Sequence, residues 1–243
     1  MSVRSAFPET WTVGIDDTDM PGIGGTGRLA RRIAAEIEAL GLGRSLGVTR
    51  HQFYEGPGVP KTARNSAAAI VFDGVGNASE LFESVCAIVA RESIEGSDPG
   101  VAIGREASVE LVGFARRAQT ALVMQQEARR LGATHGAGLA GLGGTDDGVI
   151  GALGAMSLRI DGNDGRYVDL PGIRRVGGVM TIAEVLELTG IVEVVDLLAE
   201  ESPQSTGKLD LGDWVRPRLI GGRPVVVATR AGEMWVNADF RKK

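Results

Sequence analysis

The chain is poor in the residues that announce chemistry on their own. Its 243 residues include a single cysteine, Cys86, which excludes a disulfide framework. The apolar run 81–89 around it reads as core, where a thiol is structural rather than nucleophilic. The two histidines, His51 and His135, are not at metal-ligand spacing, and no Ser-His-Asp or Cys-His arrangement can be read from the order of residues. No stretch approaches the roughly 18 to 20 apolar residues of a membrane span, and residues 1–10 lack the apolar centre of a signal peptide. These absences predict a cytoplasmic protein without a membrane partner. A basic excess is missing too. The formal net charge of −5 argues against a broad nucleic-acid footprint, although a local basic patch is compatible with it.

Glycine is the abundant residue: 36 of 243, about twice the usual share of roughly 7%. The glycines cluster at 22–27, 136–148 and 172–178, as expected where backbone turns sharply or approaches a ligand. Between the clusters, the periodicity predicts a mixed α/β fold. Residues 11–15 read as a short strand ending in carboxylates, and 27–40 as an amphipathic helix with Leu29, Ile33, Ile37 and Leu40 inward. Residues 66–72 read as a strand and 78–94 as a second helix. A third helix is expected over 114–131, with Phe114, Ala118 and Leu122 on one face. A small-residue helix is expected over 149–158, and another over 181–188 opened by a Thr181–Glu184 capping box. Residues 224–235 read as a β-hairpin. A soft boundary is expected near 96–104.

Three constellations could carry chemistry. Asp16, Asp17 and Asp19 place three carboxylates within four residues, where mutual repulsion calls for a cation. Hard oxygen donors suit Mg²⁺, which in turn holds triphosphate oxygens; a solvated acidic turn is the plain alternative. Directly behind them, Gly22-Ile23-Gly24-Gly25-Thr26-Gly27 runs into a helix whose free N–H groups and dipole favour phosphate. No lysine follows the last glycine, so this is not a Walker A loop. The second constellation, residues 60–65, offers Lys61, Arg64 and Asn65 to neutralise phosphate charge, or is an exposed basic loop. In the third, Asp146, Asp147 and Gly148 open a helix, as caps or as substrate ligands.

Four stretches in this order resemble the archaeal tRNA agmatidine synthetase family, TiaS. Gly14 to Asp19 followed by Gly24 to Gly27 is similar to that family's G-I-D-D-T-D-S and G-M-C-T-T. Residues 60–65 loosely match its P-Y-K-T-R-G-N. Asp98-Pro99-Gly100-Val101 echoes N-P-G-V, and residues 146–155 echo G-R-G-L-I-G-A-L-A-A. The likeness spans about residues 14–155. It implies a nucleotide-binding, kinase-like domain with a ferredoxin-like second domain, expected at 1–104 and 105–243 respectively. It implies ATP and Mg²⁺ as cofactors and a phosphorylated threonine at the place of Thr26. The family's OB-fold and zinc-ribbon parts find no counterpart, and the family's arginine stands as Asp147.

The function expected is therefore ATP- and Mg²⁺-dependent phosphoryl or nucleotidyl transfer activating a small amine- or guanidine-containing substrate. Asp16, Asp17, Thr26 and Lys61 are the expected catalytic residues. Asp16, Asp17 and Asp19 are expected on the metal, Gly24, Gly25, Gly27, Arg64 and Asn65 on phosphate, and Asp146, Asp147 and Gly148 on substrate. The charge balance argues against tRNA as partner, and homo-oligomerisation is left open. A non-catalytic nucleotide-binding regulatory module and a tRNA-modifying enzyme like the full-length family are the alternatives. A phosphatase using the aspartates as nucleophile ranks last, because Pro21 breaks its pattern.

Overall fold

A computed structural model describes residues 2–4, 10–19, 25–59, 65–200 and 202–239. Strand β1 (Ser2–Arg4) is followed by β2 (Trp11–Asp16), α1 (Thr26–Ala39), β3 (Arg44–Gln52), β4 (Ser66–Asp73), α2 (Ala78–Glu92) and β5 (Gly100–Gly104). Then come β6 (Glu106–Ser108), α3 (Val109–Thr120), α4 (Gln125–Thr134), β7 (Gly138–Gly141), α5 (Gly148–Asp161) and β8 (Arg166–Asp169). The remainder is β9 (Val179–Thr181), α6 (Ile182–Leu188), β10 (Glu193–Asp196), β11 (Lys208–Asp210), β12 (Arg218–Ile220), β13 (Arg223–Ala231) and β14 (Met234–Asn237).

Residues 11–104 form a β-α-β-β-α-β unit in which β5, β2, β4 and β3 lie side by side, all antiparallel. Both helices of the unit cover one face. Val13, Ile15, Ile70, Phe72, Val101 and Ile103 meet Leu29, Ile33 and Ile37 of α1 and Leu81, Val85 and Val89 of α2 in one core. The expectation of a ferredoxin-like region after residue 105 differs from this arrangement, because the split βαβ strand order falls within 11–104. Nor does pairing stop at 96–104: β5 bonds β2 on one side and β7 on the other.

The opposite face is covered by α5, with α3 and α4 outside it. There the strands present small residues, and the helix comes very close. A Cβ on Gly14 would overlap the Ala152 carbonyl oxygen, and one on Gly100 would overlap the Gly148 carbonyl carbon. Close packing is what the small residues of 149–158 predicted, and the helix runs further, to Asp161. Beyond it, β8 joins β3 to a strand-rich C-terminal part with its own core around Ile182, Val185, Leu209 and Trp235. There β13 and β14 form the expected hairpin, and Thr181 and Glu184 make the expected capping box.

One helix expected from periodicity is two. The 114–131 pattern divides into α3 and α4 at residues 121–124. Leu122, read as inward, is 56% exposed and Met124 67%. Neither glycine nor proline marks the break, and these apolar side chains line a cavity instead of the core. No helix among the described residues is long and apolar enough to cross a membrane.

Candidate functional site

Alternation along β2 sends Val13 and Ile15 into the α1/α2 core and leaves Gly14 and Asp16 facing α5. The Asp16 carboxylate lies against Gly151 in the first turn of α5, where a Cβ would overlap its Oδ2. The chain then leaves the sheet through Asp17 at φ +49°, a left-handed conformation that aspartate tolerates better than most residues. This turn is clasped by the loop after α2. The Asp98 N–H donates to the Asp17 carbonyl and the Ile94 N–H to the Thr18 carbonyl, each at 3.2 Å.

Asp16 and Asp17 open onto a cavity of about 810 Å³. Asp98 and Asp147 join them, Phe53, Tyr54, Leu122 and Met124 form an apolar wall, and no lysine or arginine stands among the described lining residues. The charge is therefore poorly balanced. Burial pushes the Asp16 carboxyl up to about 7, with repulsion from Asp17 and Asp19 adding to it against one hydrogen bond from the Asp17 backbone. Burial likewise pushes Asp17 up to about 6, reinforced by Asp98, Asp19 and Asp147. Asp98 was not singled out from the sequence as a site residue. Its Oδ2 accepts hydrogen bonds from the Thr145 N–H and hydroxyl, while its Oδ1 is buried without a partner among the described residues.

The remaining expected residues divide. Asn65, Asp147 and Gly148 line the cavity. The Asn65 amide already donates to the Tyr54 carbonyl at 2.8 Å. Asp147 occupies the N-cap position of α5 without making a side-chain cap bond. Asp146 turns away to Arg129 at 2.7 Å. Asp19 lies on the α1 side of the turn. Burial raises its pKa, opposed by hydrogen bonds from the Thr26 and Asp19 backbones and by Arg50. Gly25 and Gly27 flank Thr26 at the start of α1, and the Thr26 hydroxyl is buried against that of Thr18 at 3.3 Å. Gly24, Lys61 and Arg64 lie outside the described residues.

Among the described residues, no group of three or more His, Cys, Asp or Glu side chains is placed to hold a metal ion by itself. Mg²⁺ does not require such a cage: it commonly takes one or two carboxylates and completes its shell with phosphate oxygens and water. Asp16 and Asp17, desolvated and without a basic partner among the described lining residues, are donors of that kind.

No protein-family model and no curated protein matches the chain. Solved structures do. A complex of TiaS with an isoleucine tRNA and ATP is 27% identical with a TM-score of 0.54, over 61% of this chain and 36% of that one. The chain resembles TiaS. A tRNA fluorescent labeling enzyme is similar at 26% identity and a TM-score of 0.52, with the same coverage. A complex of TiaS with the same tRNA, AMPCPP and agmatine, at 24% identity and a TM-score of 0.52, is alike in fold alone. The chain thus spans about a third of the length of the TiaS structures it matches.

Proposed function

We propose that the chain binds a nucleoside triphosphate with Mg²⁺ at the end of β2 and uses it to activate a small amine- or guanidine-bearing substrate by phosphoryl or nucleotidyl transfer. The observation that carries this reading is the acidic cavity. Asp16, Asp17, Asp98 and Asp147 face a space whose described lining has no basic side chain, an arrangement that suits a bound cation. Likeness to an ATP-bound TiaS supports a nucleotide as one ligand.

Asp16 and Asp17 would hold Mg²⁺, which supplies charge neutralisation to phosphate oxygens when bound. The Gly25 and Gly27 amides at the start of α1 would bind phosphate, together with Gly24, Lys61, Arg64 and Asn65. Thr26 would accept a phosphoryl group, as the resemblance implies. Asp147 and Gly148 would meet the substrate cation while Asp146 stays paired with Arg129, and Asp19 would orient the start of α1 through the Thr26 N–H.

Thermal unfolding with Mg²⁺ and each nucleotide tests binding, since a ligand of the native state adds about 2.7 kcal/mol at 100 times its Kd. Asp17→Asn should lose most of the shift. Absence of any shift in the wild type refutes the reading. ATP consumption with and without candidate amines then separates an enzyme from a binding module. A tRNA substrate is the second reading, favoured by likeness to a tRNA-bound TiaS. Tight, salt-sensitive tRNA binding in a gel-shift titration would select it over the small molecule.

A further inference from the structure

A second cleft, of about 920 Å³, lies where β3 and β8 meet the C-terminal part. Its lining mixes four arginines with Asp164, Asp213 and Asp239, whereas the charged groups in the described lining of the first cavity are carboxylates alone. Arg50, Arg166, Arg216 and Arg218 line it with the half-exposed Trp214 ring at the rim. Asp239, whose side chain is only 7% exposed, holds two of these cations: Arg218 by paired 3.0 Å hydrogen bonds and Arg166 at 2.6 Å. These two guanidiniums are thus fixed in direction, which lowers the entropy cost of receiving a ligand. Asp164, also in the lining, is engaged by His51 and by Arg116. Arg216 is exposed.

Val168 in the cleft lining has Cγ2 3.8 Å from where a Cβ on Gly27 would stand, so the cleft adjoins the start of α1. Arg50, also in the lining, acts electrostatically on Asp19. The cleft thus lies beside the start of α1, and the acidic cavity beside Asp16 and Asp17.

We infer that the arginine cleft holds phosphoryl groups that run on from the proposed phosphate site at the start of α1. The assignment of those groups to the nucleotide rests on the proposed function. Guanidinium groups match phosphate oxygens in charge and in bidentate geometry. Trp214 carries the Arg174 guanidinium over its ring at 5.1 Å, which places one more cation at the rim.

Calorimetric titration of the full chain with inorganic tripolyphosphate, and separately with Mg²⁺-ATP, tests this. Tripolyphosphate should bind the wild type and weaken with salt, and Arg216→Glu should lower its affinity by about tenfold or more, the scale of one lost charge-assisted contact. Arg216→Gln should fall between the two, and thermal unfolding of both variants checks that the fold is retained. If tripolyphosphate fails to bind, or binds both Arg216 variants as it does the wild type, the inference is overturned. If it binds in the Arg216-dependent manner and no nucleotide binds, the cleft stands as a polyphosphate site and the nucleotide reading fails.

Discussion

Replacing Asp16 by asparagine should stabilise the ligand-free protein near neutral pH while removing its response to Mg²⁺-ATP. The carboxyl ordinarily ionises near 3.8, and burial in the fold pushes it up to about 7. Because the folded-state value is raised, the group destabilises the fold progressively as pH climbs from about 4 to 7 and is harmless below that window. At 1.36 kcal/mol per pKa unit, the penalty is about 4 kcal/mol at pH 7 and under about 1 kcal/mol at pH 4. Asparagine keeps an acceptor for the Asp17 N–H, but its buried NH₂ gives back about 1 to 3 kcal/mol. The pH dependence of the difference is therefore the diagnostic, since it cancels the titrating groups that do not interact with Asp16. Urea unfolding of wild type and variant at pH 4 to 8, with chelator, measures it. The variant should gain on the wild type by several kcal/mol over that range. A difference that is flat with pH would refute the desolvated-carboxylate account, and an undiminished Mg²⁺-ATP shift in the variant would refute the role in the site.

Gly151→Ala should drive a methyl group into the Asp16 carboxylate and weaken Mg²⁺-ATP binding, whereas Gly14→Ala, opposed by the Ala152 backbone, should cost about 3 kcal/mol of stability outright. Denaturation midpoints and nucleotide titrations separate the two, and equal effects of both variants on stability and binding would contradict the geometry. Thr26→Ala should abolish any mass increase of one phosphoryl group after incubation with Mg²⁺-ATP. A wild-type protein that stays unmodified under several conditions excludes Thr26 as the acceptor. His51, buried between Thr49 and Asp164, has its pKa lowered by desolvation despite the carboxylate. Below pH 6.5 the unfolded chain takes up a proton that folded His51 refuses, so stability should fall by at most about 1.4 kcal/mol per pH unit from this group, a slope that His51→Gln should remove. An unchanged slope in that variant would refute the assignment.

Much of the local structure was legible because local rules govern it. The period of Leu29, Ile33 and Ile37 is that of α1, and the Thr181–Glu184 spacing is that of a capping box. The small residues of 149–158 announced a helix that packs closely, and three adjacent carboxylates announced an unbalanced charge. What lay outside the sequence is whatever depends on residues distant in the chain. Asp98 joins Asp16 only because the loop after α2 hydrogen-bonds the Asp17 turn, and the α3–α4 break follows a cavity rather than a breaker residue. The arginine cleft draws on Arg50, Arg166, Arg216 and Arg218, far apart along the chain, and no spacing rule relates them. Sequence thus determined the periodic elements and the local charge. Tertiary structure decided which charges share a space, because desolvation and Coulomb interactions depend on distance through the fold and not along the chain.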